Sequence, residues 1–203
     1  MFSKRLQFFL AALALLAASY AQAQTAPDAM IKTVAEDVRA LIKQDKDLQA
    51  GDANKIYALI EEKVFPNLNF AKTTRLAVGK SWTQASPEQR EALIKEFRSL
   101  LVRTYATSLR QFRDQQIDYK PLPLSPTDTD VLVRTNVIQD GQQPAGVDYR
   151  VEKGADGWKV YDIVVDGVSL VTTYRGEFAE RVRQSGIDGL IKALSEKNRA
   201  GRG

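Results

Sequence analysis

Cysteine and histidine are both absent from the 203-residue chain. Without them there is no disulfide framework and no Cys/His zinc site. Catalysis of the Ser-His-Asp or Cys-His kind lacks its base. No glycine-rich phosphate cradle is present, and no close pair of carboxylates marks a metal or glycosidase site. Charge of one sign is also scarce. The formal net charge is +4, and half of that excess is Lys4 and Arg5 near the N-terminus. The remainder is too small to argue for nucleic acid. With 44% hydrophobic and 27% charged residues, the composition is that of a globular protein of one domain.

Lys4 and Arg5 precede a short apolar run from Phe8 to Ala18, and Ala21-Gln22-Ala23 follows. A positive start, an apolar stretch and small residues at the cut read as a secretory leader over 1–23. The run is well short of the roughly 20 residues a membrane span needs. No cysteine follows the cut, so a lipoprotein anchor is not expected. The sequence thus predicts an exported, soluble domain over 24–203, and the bacterial style of the leader points to the periplasm. A cysteine-free chain is indifferent to that oxidising compartment.

The remaining pattern is helices, then strands, then helices. Ile31, Val34, Val38, Leu41 and Ile42 form one face of a helix expected from Pro27 to about Leu48. A second helix should start at Asp52 and stop at Pro66, and a third should cover Phe70 to Val78. Ser86-Pro87-Glu88-Gln89 is a capping-box start for a long helix reaching Phe112. Its stripe, including Leu93, Phe97, Leu101, Tyr105 and Leu109, predicts packing on a sheet. Four strands are expected, Ile117–Leu122, Val131–Gln139, Gly146–Lys153 and Trp158–Val165, and their short links force antiparallel pairing. Strict alternation on the fourth strand puts Trp158, Val160, Asp162 and Val164 on one face, with Tyr161, Ile163 and Val165 on the other, so both faces should be covered. An extended piece from Val168 to Tyr174 precedes two closing helices separated at Gly186, and Lys197–Gly203 reads as a frayed tail. The fold class is α+β.

Two features could carry function. Asp162 is a lone carboxylate in an apolar strand. It reads either as a group satisfied by local donors or as a general base raised by burial. Tyr105, Tyr149, Trp158, Tyr161, Tyr174 and Phe178 fall on elements that must meet. They read either as core or as the wall of a cavity, since periodicity has the same form in both. An enzyme on this scaffold would use Asp162 or a tyrosine as base on an apolar substrate. A module with a solid core would only bind partners.

Several stretches resemble the MlaC, or toluene-tolerance, family. They are Gly79-Lys80-Ser81-Trp82, Glu96-Phe97-Arg98, Leu101-Val102-Arg103-Thr104-Tyr105, Val147-Asp148-Tyr149-Arg150, Thr173-Tyr174-Arg175 and Gly186-Ile187-Asp188-Gly189-Leu190-Ile191. The most specific is the run from Gly157 to Leu170. The resemblance implies a curved antiparallel sheet wrapped by helices, related to NTF2-like folds, with an apolar pocket for acyl chains. It also implies a periplasmic phospholipid carrier between an outer-membrane lipoprotein complex and an inner-membrane ABC transporter. No cofactor, no metal and no chemistry are expected, and contact with membranes would be transient. The lipid-lining residues expected from apolar faces are Phe97, Leu101, Tyr105, Val147, Tyr149, Val151, Val160, Ile163, Val165 and Tyr174. Hinges for lipid exchange are expected near Gly79 and between Gly167 and Gly176, where glycines interrupt regular structure.

Overall fold

The computed structural model describes residues 25–139 and 141–200, with the side chains of 107–111 excepted. The expected leader, Asp140, the side chain of Leu109 and residues 201–203 lie outside the described residues. Helix α1 spans Pro27–Gln44, with proline in its first turn, where a missing N–H costs little. It ends earlier than the sequence predicts because Asp45 leaves the helical region and caps the short α2, Lys46–Ala50. The Asp45 carboxylate accepts hydrogen bonds from the N–H groups of Asp47 and Leu48. Gly51, at φ 90°, closes α2. Asp52 caps α3, Ala53–Leu59, in the same way. The chain then loosens into a π turn, Ile60–Val64, and a 3₁₀ turn, Phe65–Asn67. Helix α4 is Phe70–Val78, and a 3₁₀ segment, Gly79–Gln84, follows it.

Helix α5, Pro87–Gln111, starts with the expected capping box. The Gln89 N–H donates to Ser86 Oγ at 3.2 Å, and the Ser86 N–H donates to Gln89 Oε1 at 3.0 Å. Among the described side chains its apolar stripe packs on helices rather than on a sheet. Leu93, Phe97, Leu100 and Leu101 pack against α4 and against the last helix. Val102 and the partly buried Phe112 pack against α1, α2 and α3. The stripe therefore joins two helical cores. An aromatic chain fixes the first of these. The Phe97 ring sits 4.9 Å from Tyr174 and 5.0 Å from Phe178, both edge-on.

The sheet is an open antiparallel meander of β1 Gln116–Tyr119, β2 Asp130–Ile138, β3 Ala145–Gly154, β4 Gly157–Val165 and β5 Val168–Ser169. β5 is only two residues long. Extension stops there because Ser169 caps α6, Leu170–Ala200, with its Oγ accepting from the Thr172 N–H at 3.0 Å. Gly186, at φ 71°, kinks α6 where the sequence pattern breaks. The expected frayed tail is helical as far as Ala200. Asn198 is 1% exposed, and its amide donates to the Glu96 backbone carbonyl and side-chain carboxylate on α5 at 2.9 and 2.8 Å.

The main correction concerns β4. Arg150 faces Asp162, but its neighbour Val151 faces Val160, so Tyr161 is an extra, bulged residue. Strict alternation fails at that point. Trp158 and Val160 share a face with Ile163 and Val165, while Asp162 and Val164 point the other way. Both faces are covered, but by different layers. α1 and the turn at Leu68 cover the Val160 face. On the opposite side Thr73 of α4 donates to the Tyr161 carbonyl at 2.8 Å. Asp162 is 5% exposed. It accepts from Ser169 Oγ at 2.6 Å and from the Val171 N–H at 3.1 Å, and Arg150 stands 3.7 Å away. Its carboxylate therefore ties β4 to the start of α6. Asp162→Asn keeps the shape but weakens these charge-assisted bonds. It should lower unfolding free energy by roughly 1–3 kcal/mol, as read by urea denaturation. An unchanged midpoint would show that the tie contributes nothing.

Candidate functional site

The bulge gives β4 a continuous apolar surface, and a cleft of about 170 Å³ lies over it. Tyr149, Val160 and Ile163 form the sheet wall. α1 faces them with Met30, Ile31, Val34, Ala35 and Val38. Val64 and Leu68 close one side and Phe112 another. The lining is almost wholly apolar. The volume is below the ~300–1,000 Å³ of pockets for drug-sized ligands.

The walls are fastened unequally. The turn at 65–69 is bonded to β4. Asn69 N–H donates to the Val160 carbonyl at 2.8 Å, and Lys159 Nζ donates to the Pro66 carbonyl at 2.5 Å. The other face of β4 is tied through Lys72, whose ammonium lies 2.5 Å from Glu152 and 3.5 Å from the centre of the Tyr161 ring. Tyr161 in turn donates to Asp130 at 3.0 Å. α1 has no such ties. Among the described residues no side chain of α1 makes a hydrogen bond or an ion pair with the sheet. Its one side-chain ion pair, Lys32 with Glu36, is internal and exposed. Apolar contact alone seats it on the sheet, and such contact is non-directional and tolerates sliding.

Of the ten residues expected to line the site, the structure brings Tyr149, Val160 and Ile163 together at the cleft. Val151 is fully buried in the same sheet core, beneath Ile31 and Trp158 rather than on the cleft wall. Val147 pairs with Val165 at the far end of the sheet, and Val165 is 46% exposed. Phe97, Leu101 and Tyr174 belong to the helical core behind the sheet, because the α5 stripe packs on helices. Tyr105 is 46% exposed on α5. The expected hinges lie away from the cleft as well. Gly79 sits against Arg175 of α6, whose Nε donates to the Leu76 carbonyl. Sequence reasoning missed the α1 wall, Leu68 and Phe112. The α1 stripe was visible as a pattern, but nothing local says that its N-terminal half faces a sheet and its C-terminal half, at Ile42, a helical core.

Asp162 is turned away from the cleft and satisfied by Ser169 and Val171, which does not suit a base acting on a cleft ligand. Burial pushes the Tyr149 phenol up to about 12, away from the range of a general base. Among the described residues no group of three or more acidic side chains could hold a metal ion. No helix among them is long and apolar enough to cross a membrane.

A bulged antiparallel sheet with helices on both faces, and an apolar cleft under a loosely seated helix, defines an α+β domain shaped for an apolar guest. Residues 32–196 match the family described as MlaC protein, and the chain belongs to that family. It is 26% identical over 177 residues to the intermembrane phospholipid transport system binding protein MlaC of Haemophilus influenzae, covering 86% of this chain and 83% of that one. It is 24% identical over 169 residues to the toluene tolerance protein ttg2D of Pseudomonas putida, covering 82% and 77%. A solved structure of a phospholipid-binding protein from Ralstonia solanacearum, in complex with a phospholipid, is similar at a TM-score of 0.82 and 42% identity. The match covers 89% of this chain and all of that one.

The raised Tyr149 phenol has a measurable consequence. Between about 10, its ordinary value, and about 12 the folded protein holds a proton that the unfolded chain has lost. Stability therefore falls as pH rises through that window, by an amount on the order of 2 kcal/mol. The difference between wild type and Tyr149→Phe in unfolding free energy should shrink from pH 9 to pH 12. A difference independent of pH would show that the phenol is not held neutral.

Proposed function

We propose that this protein is a periplasmic phospholipid carrier that encloses acyl chains between α1 and the β3–β4 wall and performs no chemistry. The observation that carries the reading is the apolar cleft whose outer wall, α1, rests on the sheet by apolar contact alone. Family membership and the phospholipid complex of the Ralstonia relative support it. A pair of sixteen-carbon tails holds about 30 CH₂ groups, and their exposure to water would cost roughly 24 kcal/mol at ~0.8 kcal/mol each. A soluble carrier must therefore cover them. Transfer from a bilayer into an apolar cleft is close to neutral, as reversible loading requires. α1 lifts from the sheet to admit the chains, while the turn at 65–69 and the helical layer stay fixed.

The proposed route begins with removal of the leader, 1–23, and release of the single domain, 24–203, into the periplasm. There it exchanges lipid with an outer-membrane lipoprotein complex and an inner-membrane ABC complex. A small net positive charge permits brief contact with anionic surfaces without retention. Tyr149, Val160 and Ile163 are the lipid-contacting residues of the sheet in this reading.

Organic extraction of the purified protein followed by mass spectrometry tests the reading. Phospholipid should be recovered from the wild type. Ile163→Trp, which fills the cleft from the sheet side, should lower recovery several-fold while the protein remains folded by circular dichroism. Lipid-free wild type, or full occupancy in a folded Ile163→Trp, would contradict it.

A further inference from the structure

The cleft walls account for acyl chains; their one amide side chain, Asn67, donates its N–H to the Lys63 carbonyl at 2.9 Å, and among the described residues no charged residue lines the cleft. Among the described residues, Arg39 stands beside the cleft without a carboxylate in ion-pair distance. Arg39 follows Val38 on α1 and lies one turn beyond Ala35, and both of those residues line the cleft. Its guanidinium lies over the ring of Phe112, 5.2 Å from the centroid, and Phe112 is itself a cleft wall. Its Nε is enclosed and, among the described residues, has no hydrogen-bond partner. Among the described residues no carboxylate lies within ion-pair distance of it. Glu36, three residues earlier on α1, is exposed and turned to Lys32 at 3.9 Å. The positive charge is felt nearby, since burial raises the Tyr119 phenol on β1, Arg39 opposes that rise, and the Glu36 charge adds to it.

Arg98 makes the comparison sharp. It too has an enclosed, unpartnered Nε, and it lies 3.6 Å from the centre of the Phe65 ring. Its guanidinium, however, is bonded to Glu61. Arg98 is a closed structural pair, and Arg39 is an open one.

We propose that Arg39 is the phosphate-binding residue of the cleft and holds the phosphodiester of the lipid whose chains lie between α1 and β4. The assignment rests on the phospholipid reading above. A guanidinium presents a planar fork that matches two phosphate oxygens, and stacking on Phe112 holds that plane in place before the ligand arrives. An enclosed N–H left unpaired is unfavourable, so a ligand oxygen that reaches it gains more than it would at a solvated arginine. The phosphodiester is common to phospholipids, so Arg39 selects phospholipids over neutral lipids and does not choose among headgroups. Because Arg39 belongs to α1, the bound phosphate also holds the loosely seated helix closed over the chains.

The test is a titration of wild type, Arg39→Gln and Arg39→Lys, freed of lipid, with dioctanoyl phosphatidylcholine and with dioctanoylglycerol, which has the same chains and no phosphate. Melting curves establish that each variant is folded. The ratio of the two affinities should fall roughly tenfold in Arg39→Gln, as expected for loss of one charge-assisted contact. Arg39→Lys, which keeps the charge and loses the fork, should fall between. A ratio unchanged in both variants overturns the assignment, and so does an equal loss for both lipids, which would mark Arg39 as a packing residue. Inorganic phosphate should not compete with dioctanoyl phosphatidylcholine at millimolar concentration. Competition lost in Arg39→Gln would make this a free-anion site and overturn the lipid assignment. Failure of the wild type to bind either lipid would overturn the carrier reading itself, a result distinct from each of these. If Arg39→Gln does not fold, the Arg39→Lys ratio decides the question alone.

Discussion

Everything the cleft offers depends on one extra residue in β4. The bulge at Tyr161 lets a single strand serve two unrelated demands. Val160 and Ile163 turn the same way and, with Tyr149 of β3, make an apolar wall. Asp162, between them in sequence, turns the other way and bonds to Ser169 and Val171. In a regular strand either the wall would be interrupted or the carboxylate would stand in it unsatisfied, at a cost of several kcal/mol. The extra residue is used as well. The Tyr161 carbonyl receives Thr73, and its ring receives the Lys72 ammonium, so the bulge is fixed from the helical side.

That division sorts the molecule into a fixed part and a movable part. α4, α5 and α6 share one aromatic core, and α4 and the start of α6 hold β4 through hydrogen bonds and charge. The turn at 65–69 is bonded to the β4 edge. α1 faces the opposite surface of the strand with apolar side chains only. Directional bonds resist displacement, whereas apolar contacts can be exchanged for other apolar contacts, including acyl chains, at small net cost. A helix seated by apolar contact over an apolar strand is therefore a wall that a lipid can replace. Arg39 adds the one polar interaction that would favour the loaded, closed arrangement over an empty one.

Much of this was legible in the sequence. The α+β order, the capping box at Ser86 and Gln89, the antiparallel meander and the kink at Gly186 all follow from local rules. What failed did so where a pattern reports an apolar face without its destination. The α5 stripe at Phe97 and Leu101 has the same period whether it meets a sheet or other helices, so the expected packing on a sheet is met by a helical core instead. β4 was assigned by strict alternation, and a bulge shifts parity without leaving a mark in hydrophobicity. The tail was read as frayed because it is polar, yet Asn198 is buried by bonds to Glu96, a residue 102 positions away. Asp162 is the exception: of the two readings that a carboxylate alone in an apolar run allows, satisfaction by local donors is the one met, by Ser169 and Val171.

The central claim is that acyl chains lie between α1 and the β3–β4 wall. It is tested most directly with a phospholipid carrying a photoreactive diazirine near the end of one acyl chain. The lipid is loaded, irradiated, and the adducts are mapped by peptide mass spectrometry. Adducts on the α1 residues Met30 to Val38 and on Tyr149, Val160 or Ile163 are the predicted result. Adducts concentrated on Phe97, Leu101, Tyr174 or their neighbours would put the chains within the helical layer and contradict the account.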